Sequence, residues 1–206
     1  MPHKIWPKSP EYIALRNKPA GSSYRKYLDA LQQSFHGRCG YCGTPIDSIL
    51  IRPEIDHFMP QNEIEKSSIS AEKQNELIND TFTNLIYACP PCNRAKGGDW
   101  IGGIPDNMDF VCEHCFEEQG YIHPCHPSYE DHLHRDESGR ICATSAVGGY
   151  MVQQLKLWRI HYRIIWLREQ IKVNLEYLCR TNRKAPHNEQ VVKDILAKFL
   201  AESRGL

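Results

Sequence analysis

The chain has 206 residues, of which 41% are hydrophobic, enough for one domain or for a small core with appended helices. Its 25 basic and 25 acidic residues give a formal net charge of zero, which excludes a general excess of positive charge as the means of holding nucleic acid. No apolar run is long enough to span a membrane, and the first residues lack the hydrophobic region of a secretion signal. The nine cysteines therefore favour metal ligation in a reducing compartment, and we expect a cytoplasmic protein of the bacterial type with no membrane contact.

The N-terminal part is predicted to contain one helix. Residues 1–21 are rich in proline and are predicted to be irregular. Residues 22–35 are predicted to form a helix, because serines that can cap it precede apolar residues at helical spacing. These apolar residues are Tyr24, Tyr27, Leu28 and Leu31.

Two Cys-x-x-Cys knuckles enclose the next segment of the chain. Four thiolates supplied by two knuckles with a long insertion are typical of a closed, tetrahedral structural zinc site. Such a site leaves no open position for chemistry, so any reaction must use residues between or just after the knuckles. The predicted zinc ligands are Cys39, Cys42, Cys89 and Cys92.

The segment between and after the knuckles contains residues suited to catalysis. Residues 49–58 are predicted to form a β-strand that ends with Asp56 and His57. Residues 61–80 are polar and are predicted to form an excursion, an insertion between the two strands of a hairpin. Asn84 precedes the second knuckle and Asn93 follows it directly.

This order of residues resembles the HNH endonuclease family, over about residues 36–100. The resemblance implies a β-hairpin and a helix that grip one divalent cation, with His57 as the general base. It also implies that Asn84 fixes the hairpin and helps to orient the base. Asn93 stands at the third position, as in the HNN variant, and would hold Mg²⁺ or Mn²⁺ together with Asp56.

Three further residues are expected to support this site. Glu54 lies two residues before Asp56, on the same face of the strand, and is expected to hold the metal through water. Arg94 and Lys96 open the helix after the second knuckle and are expected to contact phosphates of the substrate. The alternatives to these functional roles are structural. The two cations would then lie on a solvent-exposed face, and the two asparagines would cap helices.

Two competing functions remain open at this point. The knuckles alone would also fit a zinc module that binds nucleic acid or protein without catalysis. A nuclease acting on RNA, such as tRNA, would use the same chemistry at the scissile phosphate. We expect double-stranded DNA as the substrate, with one strand nicked by each metal centre.

The segment after the core contains a second group of metal-ligating residues. Their residue types and one Cys-x-x-Cys spacing are suitable for a second zinc site, although the alternative is reduced thiols in a compact loop. The candidate ligands are Cys112, Cys115, His123, Cys125 and His126.

The last third of the chain is predicted to be mostly helical. Residues 126–140 are predicted to form a short strand, a turn at Ser138 and Gly139, and a second strand. Residues 147–180 and 188–202 are predicted to be helices, and their aromatic residues Trp158 and Trp166 could be buried or could form a surface for a partner.

We therefore predict an α+β fold, a zinc-stapled ββα-metal core with an N-terminal helix and a C-terminal helical part. The predicted segments are 1–35, 36–100, 101–145 and 146–206. The order of motifs after the core also resembles, more weakly, the HNH effector nuclease of Septu-type antiphage defence systems. That resemblance implies an ATPase partner, and a second copy of the chain is the alternative.

Overall fold

The computed structural model describes residues 2–46, 51–105 and 108–181, together with residues 190, 193, 194, 196 and 197. Across these residues, no helix combines the length and the apolar character needed to cross a bilayer. Most of the helix predicted for residues 188–202, and the start of the strand predicted for residues 49–58, lie outside the described residues. The division into four segments stays a prediction.

The described elements of the first half, in chain order, are two 3₁₀ turns, four helices and two strands. They are the 3₁₀ turn Tyr24–Tyr27, α1 (Leu28–Ser34), β1 (Glu54–His57), α2 (Gln61–Lys66), α3 (Ala71–Asn79), the 3₁₀ turn Phe82–Asn84, β2 (Leu85–Ala88) and α4 (Pro90–Lys96). The elements of the second half are β3 (Glu113–Phe116), β4 (Gln119–Ile122), α5 (Tyr129–His132), β5 (Leu133–Arg135), β6 (Ile141–Ala143), α6 (Ala146–Gln154) and α7 (Ile160–Thr181). The mixture of helices and small sheets fits the predicted α+β class.

A β-hairpin and a helix form the centre of the first half. β1 pairs with β2 in antiparallel register, with Asp56 opposite Ile86 and His57 opposite Leu85. α4 follows β2 after a single residue and begins with two prolines, which favour the first turn of a helix. The chain therefore has the predicted ββα arrangement, and Asn93 comes to lie on α4 beside β1.

The polar stretch predicted as an excursion is folded into two short helices, α2 and α3. Ile64 and Leu77 are buried, and the Ser70 side chain accepts a hydrogen bond from the backbone of Lys73 at the start of α3. The sequence shows these helices only weakly, because each one buries a single apolar side chain. Their packing places the end of α3 next to His57.

The N-terminal segment is irregular, as predicted, but it is part of the core. Ile5 and Trp6 are each only 2% exposed, and the Trp6 indole donates a hydrogen bond of 3.1 Å to the carbonyl of Cys39. His3 pairs with Arg135 of β5. The first residues therefore connect the first knuckle to the hairpin of the second half.

The single helix predicted for residues 147–180 is two helices in the structure. α6 ends in a Schellman motif, in which the amide of Leu157 donates to the carbonyl of Val152 and the amide of Lys156 donates to that of Gln153. Lys156 has a φ of 53°, a conformation that usually requires glycine. The prediction was wrong because neither glycine nor proline marks this break.

The hairpin predicted around Ser138 and Gly139 is present as β5 and β6. Trp166 packs on its turn, so closely that a Cβ atom at Gly139 would lie 2.4 Å from the indole. Trp158, by contrast, is 62% exposed in the connection between α6 and α7. The two tryptophans thus have different environments, one packed against the protein and one open to solvent.

Candidate functional site

Four cysteine side chains meet inside the first half of the fold. All four are buried, and their sulfur atoms lie within 4.8 Å of one another. The sulfurs of Cys42 and Cys89 are 3.8 Å apart, far longer than a disulfide bond. A tetrahedron with Zn–S bonds of about 2.3 Å has S···S edges of about 3.8 Å, so this set fits zinc well. The cluster consists of the predicted ligands Cys39, Cys42, Cys89 and Cys92.

The second half of the chain surrounds this cluster. The hydroxyl of Tyr162 on α7 lies 3.2 Å from the sulfur of Cys92. Arg135 on β5 is 1% exposed and donates a hydrogen bond of 2.6 Å to the carbonyl of Cys42. Burial lowers the pKa of Arg135 to about 10, which leaves it charged beside the thiolates at neutral pH. This arginine would offset the negative charge that four thiolates leave around one Zn²⁺.

The second group of predicted metal ligands is not gathered into a site. Among the described residues, the four knuckle cysteines are the one cluster of three or more such groups. Both ring nitrogens of His123 have partners, Nε2 at Tyr12 and Nδ1 at the amide of Cys125, and burial lowers its pKa to about 3. Cys115 is exposed on β3. Of the two alternatives left open by the sequence, these contacts favour reduced thiols over a second zinc site, because His123 serves the core.

A polar cleft of about 410 Å³ opens beside β1 and α4. Asp56, His57 and Asn93 all line it. The remaining lining comes from Tyr24 before α1, from β1, from α2 and the proline before it, and from the two glycines after α4. The three residues predicted to carry the chemistry therefore line one cleft, although Asn93 lies far from the other two in the sequence.

The ring of His57 is held by the end of α3. Its Nε2 lies 2.9 Å from the carbonyl oxygen of Ile78, and the ring of Tyr24 meets it edge-on at 4.6 Å between centroids. A carbonyl only accepts hydrogen bonds, so Nε2 carries the proton and the lone pair lies on Nδ1. Burial lowers the pKa of His57, while the Ile78 carbonyl opposes this effect. His57 is therefore neutral at pH 7, the form that a general base requires.

Asp56 is fixed by two buried side chains. The phenol of Tyr41 donates a hydrogen bond of 2.5 Å to Oδ2, and the ammonium of Lys96 lies 3.2 Å from the same oxygen. Burial, and then the charge of Asp56, raise the pKa of Tyr41 well above its usual value, so Tyr41 stays a donor. Oδ1 has a longer contact of 3.5 Å with Lys96 and keeps room for a further ligand.

Asn93 is oriented by Glu54. The Nδ2 group of Asn93 donates a hydrogen bond of 2.8 Å to Oε2 of Glu54. This bond uses the donor side of the amide and leaves its oxygen as the group available to a cation. Asp56 and Asn93 thus offer a carboxylate and an amide oxygen, the ligands that suit a hard divalent cation such as Mg²⁺ or Mn²⁺.

Comparison with known protein families gives one match. The family model for HNH endonuclease matches residues 39–99, from the first cysteine of the first knuckle to just beyond α4. This chain contains an HNH endonuclease domain. No curated protein and no solved structure matches the chain.

The HNH domain differs from the prediction at Lys96. Its side chain is 0% exposed and donates a hydrogen bond of 2.8 Å to the carbonyl of His57. The turn of α4 that carries it faces β1, which explains why the ammonium is buried beside Asp56 instead of reaching phosphate. Arg94, predicted with it, has a side chain that is 78% exposed and lies 3.6 Å from Glu54. Of the two cations, only Arg94 is placed to meet substrate.

Replacing Lys96 by methionine is expected to destabilise the HNH domain. The change leaves the Asp56 carboxylate without its buried counter-ion, and breaking such a pair costs about 3–5 kcal/mol. The free energy of unfolding, measured with urea, would show the loss. Lys73→Met on exposed α3 is the matched control and should cost less than about 1 kcal/mol. Equal stability of the two variants would contradict the role given to Lys96.

Asn84 lies beneath the cleft of the HNH domain and is completely buried. Its side-chain oxygen accepts a 2.8 Å hydrogen bond from the amide of Met59, and its Nδ2 group lies 3.4 Å from the carbonyls of Met59 and Leu77. These bonds join the chain after β1 to the end of α3. The predicted role of Asn84, fixing the hairpin that carries the base, is in keeping with these contacts.

Several residues of the site were not predicted from the sequence. Tyr41 holds Asp56, the backbone of Ile78 sets the proton position on His57, and Tyr24 packs against the same ring. A carbonyl leaves no signal in an amino-acid sequence, and a tyrosine between two cysteines looks like ordinary core. Only the position of Tyr41 between Cys39 and Cys42 could have suggested that it lies close to the site.

Proposed function

We propose that this HNH endonuclease hydrolyses double-stranded DNA with one divalent cation and nicks one strand in each cleft. The observation that carries the proposal is the shared cleft, which His57, Asp56 and Asn93 all line. A cation held by Asp56 and Asn93 would neutralise charge on the phosphate and on the departing 3′ oxygen. His57 takes the proton from the attacking water through Nδ1, while Ile78 holds the ring in place.

Incubation of the purified protein with plasmid DNA and with RNA, each with and without Mg²⁺ or Mn²⁺, tests the proposal. Conversion of supercoiled plasmid to the nicked circle only when the cation is present is the expected result. Cleavage of RNA alone would support the alternative substrate, tRNA for example. Absence of cleavage on every substrate would contradict the proposal.

Asn93→Ala is expected to weaken the binding of the catalytic cation. Loss of the amide oxygen should raise the Mn²⁺ concentration needed for half-maximal cleavage by at least about tenfold, a loss seen even for residues that only support a ligand. Excess Mn²⁺ should therefore restore part of the rate. Asn62→Ala is the matched control, because Asn62 lines the same cleft but bonds to Glu63 on the exposed surface of α2. A cation requirement that does not change in Asn93→Ala would remove Asn93 from the site.

A role in antiphage defence together with an ATPase partner is proposed on the order of motifs after residue 100. Support for a partner comes from α7, whose second half exposes Val173, Leu175 and Tyr177, each between 46% and 56% accessible. Copurification from the native host, followed by mass measurement of the intact complex, tests this part. A monomer that cleaves DNA at full rate without a companion would contradict it.

A further inference from the structure

Helix α4 faces a second cavity on the side away from the cleft. Asn93 lines the cleft, but its neighbour Arg94 lines a cavity of about 530 Å³ together with Lys156 and Arg159 from the connection between α6 and α7. Three cations thus meet around one opening. Among the described residues that line it, none is acidic.

A third cavity continues this surface beyond Arg159. It has a volume of about 310 Å³, and Arg159 lines it together with Arg140, Arg163 and Trp158. Its described lining again contains no acidic residue. Because Arg159 belongs to both cavities, the two openings lie side by side and form one basic surface that begins at α4.

The Schellman motif at the end of α6 explains why this surface points outward. Leu155 and Leu157 are at most 1% exposed, whereas Lys156 is exposed and Trp158 is 62% exposed. The turn therefore anchors two leucines in the core and directs the residues between and after them to solvent. A tryptophan so exposed beside several cations is unusual, because large aromatic side chains are mostly buried.

A backbone carbonyl holds one of the cations on this surface. The Nε of Arg163 donates a hydrogen bond of 2.8 Å to the carbonyl of Ser138. Asp136, four residues before Arg140, accepts hydrogen bonds from the amides of Ser138 and Arg140 and so serves the turn. Arg94 lies 3.6 Å from Glu54, but its side chain is 78% exposed, so this contact is weak.

We propose that Arg94, Lys156, Arg159 and Arg140, with Trp158, form a basic track that binds the nucleic-acid strand as it leaves the cleft. The inference rests on the proposed function and names the surface that holds the substrate. Where a strand end leaves the duplex at the nick, the cations contact its phosphates and Trp158 stacks on its unpaired base.

The chemistry of the basic track favours nucleic acid over protein. A nucleic-acid strand carries one phosphate per nucleotide, so it can supply an anion to each of several neighbouring cations. Arginine and an exposed aromatic ring together are typical of surfaces that bind single strands. The track would also explain how a chain with zero net charge binds nucleic acid, because its positive charge is concentrated on the surface that meets the substrate.

Binding measurements on a protein that does not cleave test the inference. In a His57→Ala background, the affinity for labelled single-stranded and duplex oligonucleotides of DNA and RNA is measured by fluorescence anisotropy at several salt concentrations. Adding Arg140→Glu and Arg159→Glu should lower the affinity at least about tenfold and reduce the slope of log K against log salt by about two. Trp158→Ala should lower the single-strand affinity about tenfold and affect duplex less.

A matched control keeps the same change in net charge away from the basic track. Lys73→Glu together with Lys172→Glu alters two exposed lysines on α3 and α7 and should leave both the affinity and the salt slope unchanged. Circular dichroism and thermal unfolding check that each variant is folded. Equal losses in the track and control variants would overturn the inference.

Two further outcomes separate the inference from the proposed function. If wild-type protein cleaves plasmid while the track variants bind as tightly as their background, the basic track is wrong and the nuclease assignment stands. If labelled polyglutamate binds as tightly as the oligonucleotides, the track recognises an acidic protein and the inference is overturned. If the wild-type protein cleaves nothing, the proposed function fails first, whatever the track binds.

Discussion

His57→Ala is expected to reduce the rate of phosphodiester cleavage by about a hundredfold to ten-thousandfold, the range for loss of a general base. The structure gives three reasons for this large effect. His57 lines the open cleft, its Nε2 faces the carbonyl of Ile78, and its lone pair on Nδ1 is thereby available to water. Burial keeps its pKa low, so the wild-type ring is neutral under ordinary assay conditions. Nicking of supercoiled plasmid with saturating Mn²⁺ measures the rate.

The variant should remain folded. The change removes one hydrogen bond to the Ile78 carbonyl and the edge-on contact with Tyr24, a loss of about 1–2 kcal/mol in the free energy of unfolding. His126→Ala is the matched control, since His126 forms a hydrogen bond with Ser128 outside the cleft. The control variant should cleave at the wild-type rate. A His57→Ala protein that cleaves at the wild-type rate would show that the base is another group.

Cys89→Ser is expected to release zinc and unfold the HNH domain. Binding of a structural zinc contributes on the order of 10 kcal/mol to folding, whereas the whole stability of a domain is about 5–15 kcal/mol. The loss should spread beyond the knuckles, because Trp6, Arg135 and Tyr162 all contact the cysteine segments. Elemental analysis should give about one zinc per wild-type chain, in line with the single cysteine cluster of the described residues.

Cys115→Ser is the control for this experiment. Cys115 is exposed on β3 and lies outside the cluster, so its variant should keep one zinc, the wild-type circular dichroism spectrum and the wild-type rate. A measured content of about two zinc ions per wild-type chain would indicate a second zinc site. A Cys89→Ser protein that is free of zinc and still folded and active would contradict the structural role of the metal.

The parts of the site predicted from the sequence are those set by spacing along the chain. The two knuckles, the pair Asp56–His57 and the position of Asn93 after the second knuckle leave a fixed pattern of residues, and the family match covers the same segment. The four cysteines were placed in one cluster from sequence alone. Their chemistry requires a common metal, which restricts the fold strongly.

The remaining features depend on packing that no local pattern reveals. Lys96 was predicted to contact phosphate because it follows the second knuckle at the start of a helix, yet its pairing with Asp56 buries it. The break at Lys156 was missed because a lysine took the left-handed position that glycine usually fills. His123 resembled a zinc ligand until both of its nitrogens were seen to have partners in the core.

Some of the residues that contact the cysteine cluster are synthesised later than the reactive residues. Asp56, His57 and Asn93 leave the ribosome before Arg135 and Tyr162, the residues that complete the surroundings of the cysteines. At about 5–20 residues per second, the interval between Asn93 and Tyr162 lasts roughly 3–14 seconds. During translation the reactive residues are therefore present for several seconds without their finished support. The growing chain gains its nuclease architecture late, when all of α6 and the start of α7 have been made.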